Sequence, residues 1–414
     1  MKHKHILAII LILALFFRVV FALIVPVFEK PDEKSHFEYI KYVADNKKLP
    51  VQREGQLSTE FFQPPFYHYS ASFILRFIRI FTQNEAYQII LLRFVSIFFS
   101  MLTLYLVHKI VSLLFKNQTL NLGILAFASF LPSYINFNSA VTNSNLADFL
   151  TTLIIYMLLL IIAKGKSTKR IFVLGLLVGI SLITRLSTIP IVATIPFAFI
   201  VKYYPDIKKA VKPVALISII ALIISGWLFV RNFNLYGDFL GINAMKLASP
   251  PDIIKVNLFF LRLAGWTFVT FWASFGSTNG VFIGNLTSQS GIMIFIAVYL
   301  VLLLITISSV YGLCLFYKKY RKNNKIVSNE QKKALIIFLF YLALFGFSFV
   351  SFNLYDFQPQ GRLLFPGISI ISIFFTFGIY NLFAHYKANK FLTVLIIFLV
   401  MADIASIISI ARYY

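Results

Sequence analysis

The chain has 414 residues, 59% of them hydrophobic and 13% charged, with a mean hydropathy of +0.83. Soluble domains carry about 25% charged residues, so a soluble protein is excluded and an all-α polytopic membrane protein is expected. The formal charge of +23 falls in short segments between apolar runs, which argues against nucleic-acid binding, and the single cysteine, Cys314, excludes a disulfide within the chain.

The apolar runs predict about eleven transmembrane helices, at 6–26, 88–114, 120–138, 146–163, 171–187, 189–204, 212–231, 292–317, 334–353, 363–384 and 391–411. Arg18 interrupts the first run and no clear small-residue cleavage site follows, so a span rather than a signal peptide is expected. With the N-terminus inside, the segments that become cytoplasmic hold 21 basic residues against two acids, Asp206 and Glu330. The whole of 1–414 reads as one transmembrane domain in a cytoplasmic membrane, with residues 27–87 and 232–291 as the two long outer segments.

The first outer segment has the pattern of folded chain. Phe37, Tyr39, Ile40 and Val43 recur along one side of "DEKSHFEYIKYVADNKK", and "QPPFYHYSASFILRFIRIF" starts with a Pro-Pro stop and continues for about 16 residues, short for a span. Both suit interfacial helices. In the second outer segment Gly, Asn and Pro mark irregular backbone, and Trp266, Phe268, Phe271, Trp272 and Phe275 mark partial burial near the interface. This segment is placed to cover a cavity when substrates bind.

Four of the fifteen acids, Glu29, Asp32, Glu33 and Glu38, lie within ten residues after the first span. One reading is local: Pro31 fits a first helical turn, and carboxylates there gain about 0.3–1 kcal/mol from the helix dipole. The other is chemical. A carboxylate at the outer mouth of a membrane cavity can take the proton of a hydroxyl attacking a phosphate-activated carbon, while arginines hold the departing phosphate. Arg231 and Arg362 fall on the same predicted side as Asp32. Arg18, Arg93, Arg185, Asp148, Asp356 and Asp403 also sit within or at the ends of spans, where charges are costly and commonly functional.

"PDEKSHFEYIKY", "QPPFYHY", "GWLFVRNFNLYGDFLG", "FWASFG" and "QGRLLFP" resemble, in order and spacing over the whole chain, the integral-membrane glycosyltransferases of the GT-C type. Within these the chain is most similar to prokaryotic relatives of the protein O-mannosyltransferase and lipid A aminoarabinose transferase families. The resemblance implies a GT-C-like helical fold, a polyprenyl-phosphate-linked sugar donor, and direct inverting transfer to an acceptor hydroxyl of a protein, lipid or glycan. Asp32 is then the base with Glu33 beside it, and Arg362, helped by Arg231 and Gln360, meets the donor phosphate. His36, Gln63, Tyr67 and Trp272 are candidates for sugar or acceptor contact. Relatives often carry an acid where this chain has Asn145, with Asp148 one turn further on, so no cofactor is expected and a divalent metal is the less favoured alternative. A multi-span transporter or lipid flippase is the rival reading; it needs no acid fixed just outside the first span.

Overall fold

The computed structural model describes residues 2–56, 58–248, 258–273, 289–383 and 388–413. Two stretches of the second outer segment, 249–257 and 274–288, which include Phe275 and the end of "FWASFG", lie outside the described residues.

Among the described residues the chain is helical throughout, without strands. The first span, α1 (Lys2–Ile24), leads into α2 (Glu33–Asn46) and α3 (Phe66–Ile78), which pack against each other as a hairpin. The faces expected to be apolar are the buried ones: Phe37 and Ile40 are fully covered, with Leu75 closing their cluster from α3, and Val43 is covered beside Tyr39 and Phe61. α4 (Glu85–Leu114) starts at Asn84, whose side chain accepts from the amides of Ala86 and Tyr87.

The expected span at 120–138 is a broken one. α5 (Gln118–Ser129) and α6 (Pro132–Asn138) are bent by 59°, because Pro132 cannot donate to the helix before it and instead starts the next. α7 (Ser144–Lys164), α8 (Thr168–Leu182), α9 (Ile189–Tyr203) and α10 (Lys208–Tyr236) follow, then the short α11 (Ile242–Ala248) and α12 (Phe259–Trp272). The chain ends with α13 (Gln289–Lys322), α14 (Asn329–Tyr355), a 3-10 turn (Gly361–Gly367), α15 (Ile368–Leu382) and α16 (Ala388–Tyr413).

Nine helices among the described residues are long and apolar enough to cross a membrane, ten if the bent pair is one span. The expected count was eleven, and the difference is α8, whose 15 residues rise only about 22 Å. Hydrogen bonds between elements nonetheless send α8 from one end of the bundle to the other. Lys202 at the end of α9 donates to the carbonyl of Ile161 at the end of α7, and Asn143 before α7 donates to the carbonyl of Thr184 after α8. The same logic places every crossing. Gln331 reaches Leu114 and Asn117 reaches Tyr380 at the α8-start end, while Lys41 meets Glu85 and Tyr236 receives the amide of Gln52 at the other. Counted with α8 and with the bent pair as one, the described helices run from one end of the bundle to the other eleven times, and the connections 25–84, 139–143, 183–185 and 356–360 share one end.

Candidate active site

The site is built at that shared end, where α2 begins. Asp32 occupies the N-cap position of α2 in a left-handed conformation, φ 60° and ψ 0°, and its side chain makes no cap to its own helix. Aspartate is among the few non-glycine residues that visit this region. The backbone turn aims the carboxylate outward instead, and Oδ2 meets Nη1 of Arg362 at 2.7 Å. The helix-start explanation for this acid thus accounts for the position of the residue but not for the direction of its side chain.

Arg362 stands in the 3-10 turn, with Nε donating to Oε1 of Gln360 and its guanidinium 5.5 Å above the ring of Phe137. The glycine before it has a steric reason. A Cβ at Gly361 would meet the backbone nitrogen of Phe271 at 2.2 Å, and the Gly361 amide donates to Oγ1 of Thr270 at 2.7 Å. The "QGR" and "FW" stretches are two halves of one contact, which fixes the depth of Arg362.

Asp32 keeps 41% of its side chain accessible, whereas Arg362 keeps 13%. With Arg362, Arg185 and Glu60 near it and its own side chain partly open, the carboxylate lies in a recess that opens toward solvent. Burial raises its pKa, but Arg362, with lesser help from Arg185, holds it below the ordinary carboxylate value. Asp32 is therefore ionised at neutral pH.

Two further groups belong here that the sequence did not single out for the site. Arg185, between α8 and α9, lies near enough to Glu60, Arg362, Asp148 and Asp32 to interact with all four charges, and its Nη1 is 3.5 Å from Oδ1 of Asn143. Glu60 is pushed up to about 8, first by burial and then by the negative charge of Asp32, so at neutral pH it holds a proton. Arg185 carried a signal as an arginine at a span end. Glu60, inside "STEFFQPP", carried none that periodicity could show.

Glu33 has a different position from its neighbour. Both of its oxygens face Arg93, Oε1 at 2.9 Å from Nε and Oε2 at 2.6 Å from Nη2, and both partners are wholly buried. Oε1 also accepts from the amide of Val141, and Oε2 from that of Phe28. The remaining N–H groups of Arg93 serve the carbonyls of Ala22, Val25 and Pro26. All five guanidinium donors and both carboxylate edges are occupied, so Glu33 joins α1, α2, α4 and the loop before α7 and offers nothing to a substrate.

His36 pairs with His68, Nδ1 to Nε2 at 2.9 Å, and its Nε2 lies 3.2 Å from Oγ1 of Thr142. The Tyr39 ring stacks on His68 at 4.0 Å. Burial pushes His36 down to about 3, so this pair is neutral and packed behind Asp32. Gln63 is closer to the recess: its Oε1 receives a 3.4 Å contact from Asn143 Nδ2, and its backbone amide donates to the carbonyl of Glu60 at 3.0 Å.

The structure does not bring the other three candidates to Asp32. Tyr67 is 2% exposed within the α2–α3–α4 cluster. Trp272 is also 2% exposed, edge-on to Phe127 at 5.9 Å and Phe375 at 5.5 Å. Aromatic character alone had suggested stacking on a sugar, yet both rings are filling the core. Arg231 donates through Nη2 to the carbonyl of Pro50 at 2.5 Å, next to a loop in which Asp238 accepts from the amides of Ile242 and Asn243. It anchors the 50–52 strand of loop to the end of α10.

For a metal the donor set does not fit. Among the described residues no three of His, Cys, Asp or Glu converge, and the two acids that face the recess share it with two guanidinium groups, which repel a divalent cation.

No protein-family model matches the sequence, and no curated protein does. Solved structures do match. The oligosaccharyltransferase of Archaeoglobus fulgidus in complex with Zn and sulfate aligns with 97% of this chain and 53% of its own, at 14% identity and a TM-score of 0.55. The same organism's enzyme tethered to an acceptor peptide containing the NVT sequon gives 97%, 55%, 14% and 0.53. The archaeal oligosaccharyltransferase AglB in complex with an inhibitory peptide and a dolichol-phosphate gives 99%, 56%, 14% and 0.53. The chain spans about half the length of these neighbours. What the likeness establishes is the fold, a multi-pass, all-helical membrane architecture of the GT-C type.

Proposed function

We propose that this protein is a membrane glycosyltransferase that moves a sugar from a polyprenyl-phosphate-linked donor to an acceptor hydroxyl, with inversion, on the extracytoplasmic side of the cytoplasmic membrane. The observation that carries the reading is the pair of Asp32 and Arg362 at 2.7 Å in an open recess, with Arg185 alongside. The presence of dolichol-phosphate in the complex of an archaeal neighbour supports a lipid-phosphate donor. The 21 basic residues on the opposite end support its being cytoplasmic.

In this reaction the acceptor oxygen forms a bond to the anomeric carbon as the bond from that carbon to the phosphate oxygen breaks. The phosphate leaves with the bonding pair, and the acceptor proton passes to Asp32. Single displacement inverts the carbon. The ion pair gives the site an order of events: donor phosphate competes with Asp32 for Arg362, and once it takes the guanidinium the carboxylate is released to act as base. Arg185 supplies the second positive charge. Glu60, protonated, donates a hydrogen bond from the facing wall, and Gln63 and Gln360 are polar contacts for the sugar and phosphate.

The test is transfer by purified protein from a synthetic polyprenyl-phosphate sugar to an added acceptor, read by mass spectrometry of the products. A new glycoside of inverted configuration, lost in Asp32→Asn, supports the reading. Movement of the lipid between leaflets without covalent change would instead support a flippase.

A further inference from the structure

α13 and α14 are consecutive, yet they do not pack along each other. α13 lies on α15 and α14 on α9, which leaves a slot between them at the end opposite Asp32. It encloses about 880 Å³ and is walled by apolar side chains such as Phe316, Phe338 and Phe377. Its α13 wall runs from Thr306 to Tyr320, a rise of about 21 Å. Half of a hydrocarbon core about 30 Å thick is about 15 Å, so the slot is deep enough for an acyl chain of one leaflet.

At its mouth the slot meets a second, more polar pocket of about 610 Å³ that shares Leu114, Phe115, Ile326 and Gln331 with it. Lys116 and Lys325 line this pocket, with Glu330 the acid among its lining residues. Lys319 lines the slot itself, and Lys332 lies 5.8 Å from the ring of Tyr320. An apolar channel that opens sideways and ends in a cluster of cations matches a lipid whose head is anionic.

We propose that this slot is a binding site for an anionic diacyl phospholipid, with one acyl chain between α13 and α14 and the phosphate among Lys116, Lys319 and Lys325. The donor lipid of the proposed reaction is a different ligand. A phosphate held by Arg362 lies at the other end of the bundle, so one lipid cannot place its head at both. The proposal stands on the slot's own chemistry, whether or not the transfer reaction is as described.

The experiment is native mass spectrometry of the 414-residue chain in mild detergent with phosphatidylglycerol or phosphatidylcholine. Phosphatidylglycerol is expected to bind preferentially. At about 1 kcal/mol per lysine, K116E/K325E lowers its affinity about thirtyfold or more, toward that of phosphatidylcholine. Leu339→Trp fills the slot from its lipid-facing rim and lowers the binding of both lipids. K116Q/K325Q replaces the charge reversal should that variant not be purified folded, with a smaller loss expected. Asp32→Asn leaves phospholipid binding unchanged, which separates this site from the reaction. Equal binding of the two phospholipids, undiminished binding in the lysine or Trp variants, or displacement of phosphatidylglycerol by added polyprenyl phosphate would overturn the proposal.

Discussion

Asp32 and Glu33 are adjacent acids, and the structure predicts opposite consequences for making each an amide. In Glu33→Gln, Arg93 stays buried with its other carbonyl partners but without a counter-charge. The new amide also turns an NH2 group toward guanidinium N–H, so a donor faces a donor. Removing one partner of a buried, fully bonded pair costs about 3–5 kcal/mol. The pair ties the end of α1 to the start of α2 and to α4, so the loss falls on the fold of the outer hairpin. In Asp32→Asn the lost partner is a group that keeps 41% of its side chain exposed. Solvent screens most of that interaction, and asparagine tolerates the same left-handed backbone, so stability changes by less than about 1 kcal/mol. Turnover should fall about a hundredfold or more. Thermal unfolding in detergent, together with transfer assays on the same preparations, reads both. A Glu33→Gln protein as stable as the parent would refute the reasoning about the buried clamp, and a fully active Asp32→Asn would remove Asp32 as base.

Arg362→Ala is expected to weaken donor binding as well as turnover, measured by titration with a non-transferable polyprenyl-phosphate analogue, whereas Arg231→Ala should leave donor affinity unchanged and loosen only the 50–52 loop. Gly361→Ala places a Cβ within 2.2 Å of the Phe271 backbone, so folded yield should drop sharply, as fluorescence-detected size exclusion would show. The pH dependence of stability has a defined sign. Glu60 binds its proton more tightly folded, at about 8, than unfolded, at 4.5, so the native state holds more protons across that window and stability falls as pH rises through it. His36, lowered from 6.5 to about 3, has the opposite slope between those values. Only above pH 6.5 does the Glu60 slope stand clear of it. Glu60→Gln should flatten the decline between pH 6.5 and 8, and an unchanged slope would reassign it.

Long apolar runs made the crossings legible, including α8, whose short helix would be missed by a length criterion but whose flanking charges require a traverse. That Asp32 and Arg362 share one end of the bundle followed from the same alternation. What periodicity cannot show is which of two neighbouring carboxylates turns inward: Glu33 is one step along the helix from Asp32, and its partner Arg93 is sixty residues away in sequence. Aromatic residues misled for a related reason. In a lipid-facing bundle the rings of Tyr67 and Trp272 serve as well in the core as at a ligand, and only packing distinguishes the two. Glu60 lay in a stretch without helical rhythm, where only folding brings it opposite Asp32.

An odd number of traverses by the described helices puts the start of α1 and the end of α16 at opposite ends of the bundle, and this has a practical result. A tag or reporter joined to the C-terminal end of α16 emerges at the end of the bundle that holds Asp32 and Arg362, whereas one joined ahead of α1 emerges among the lysine-rich connections. A fluorescent protein that matures only in the cytoplasm should therefore glow at one terminus and stay dark at the other, giving an experimental reading of handedness across the bilayer that owes nothing to catalysis.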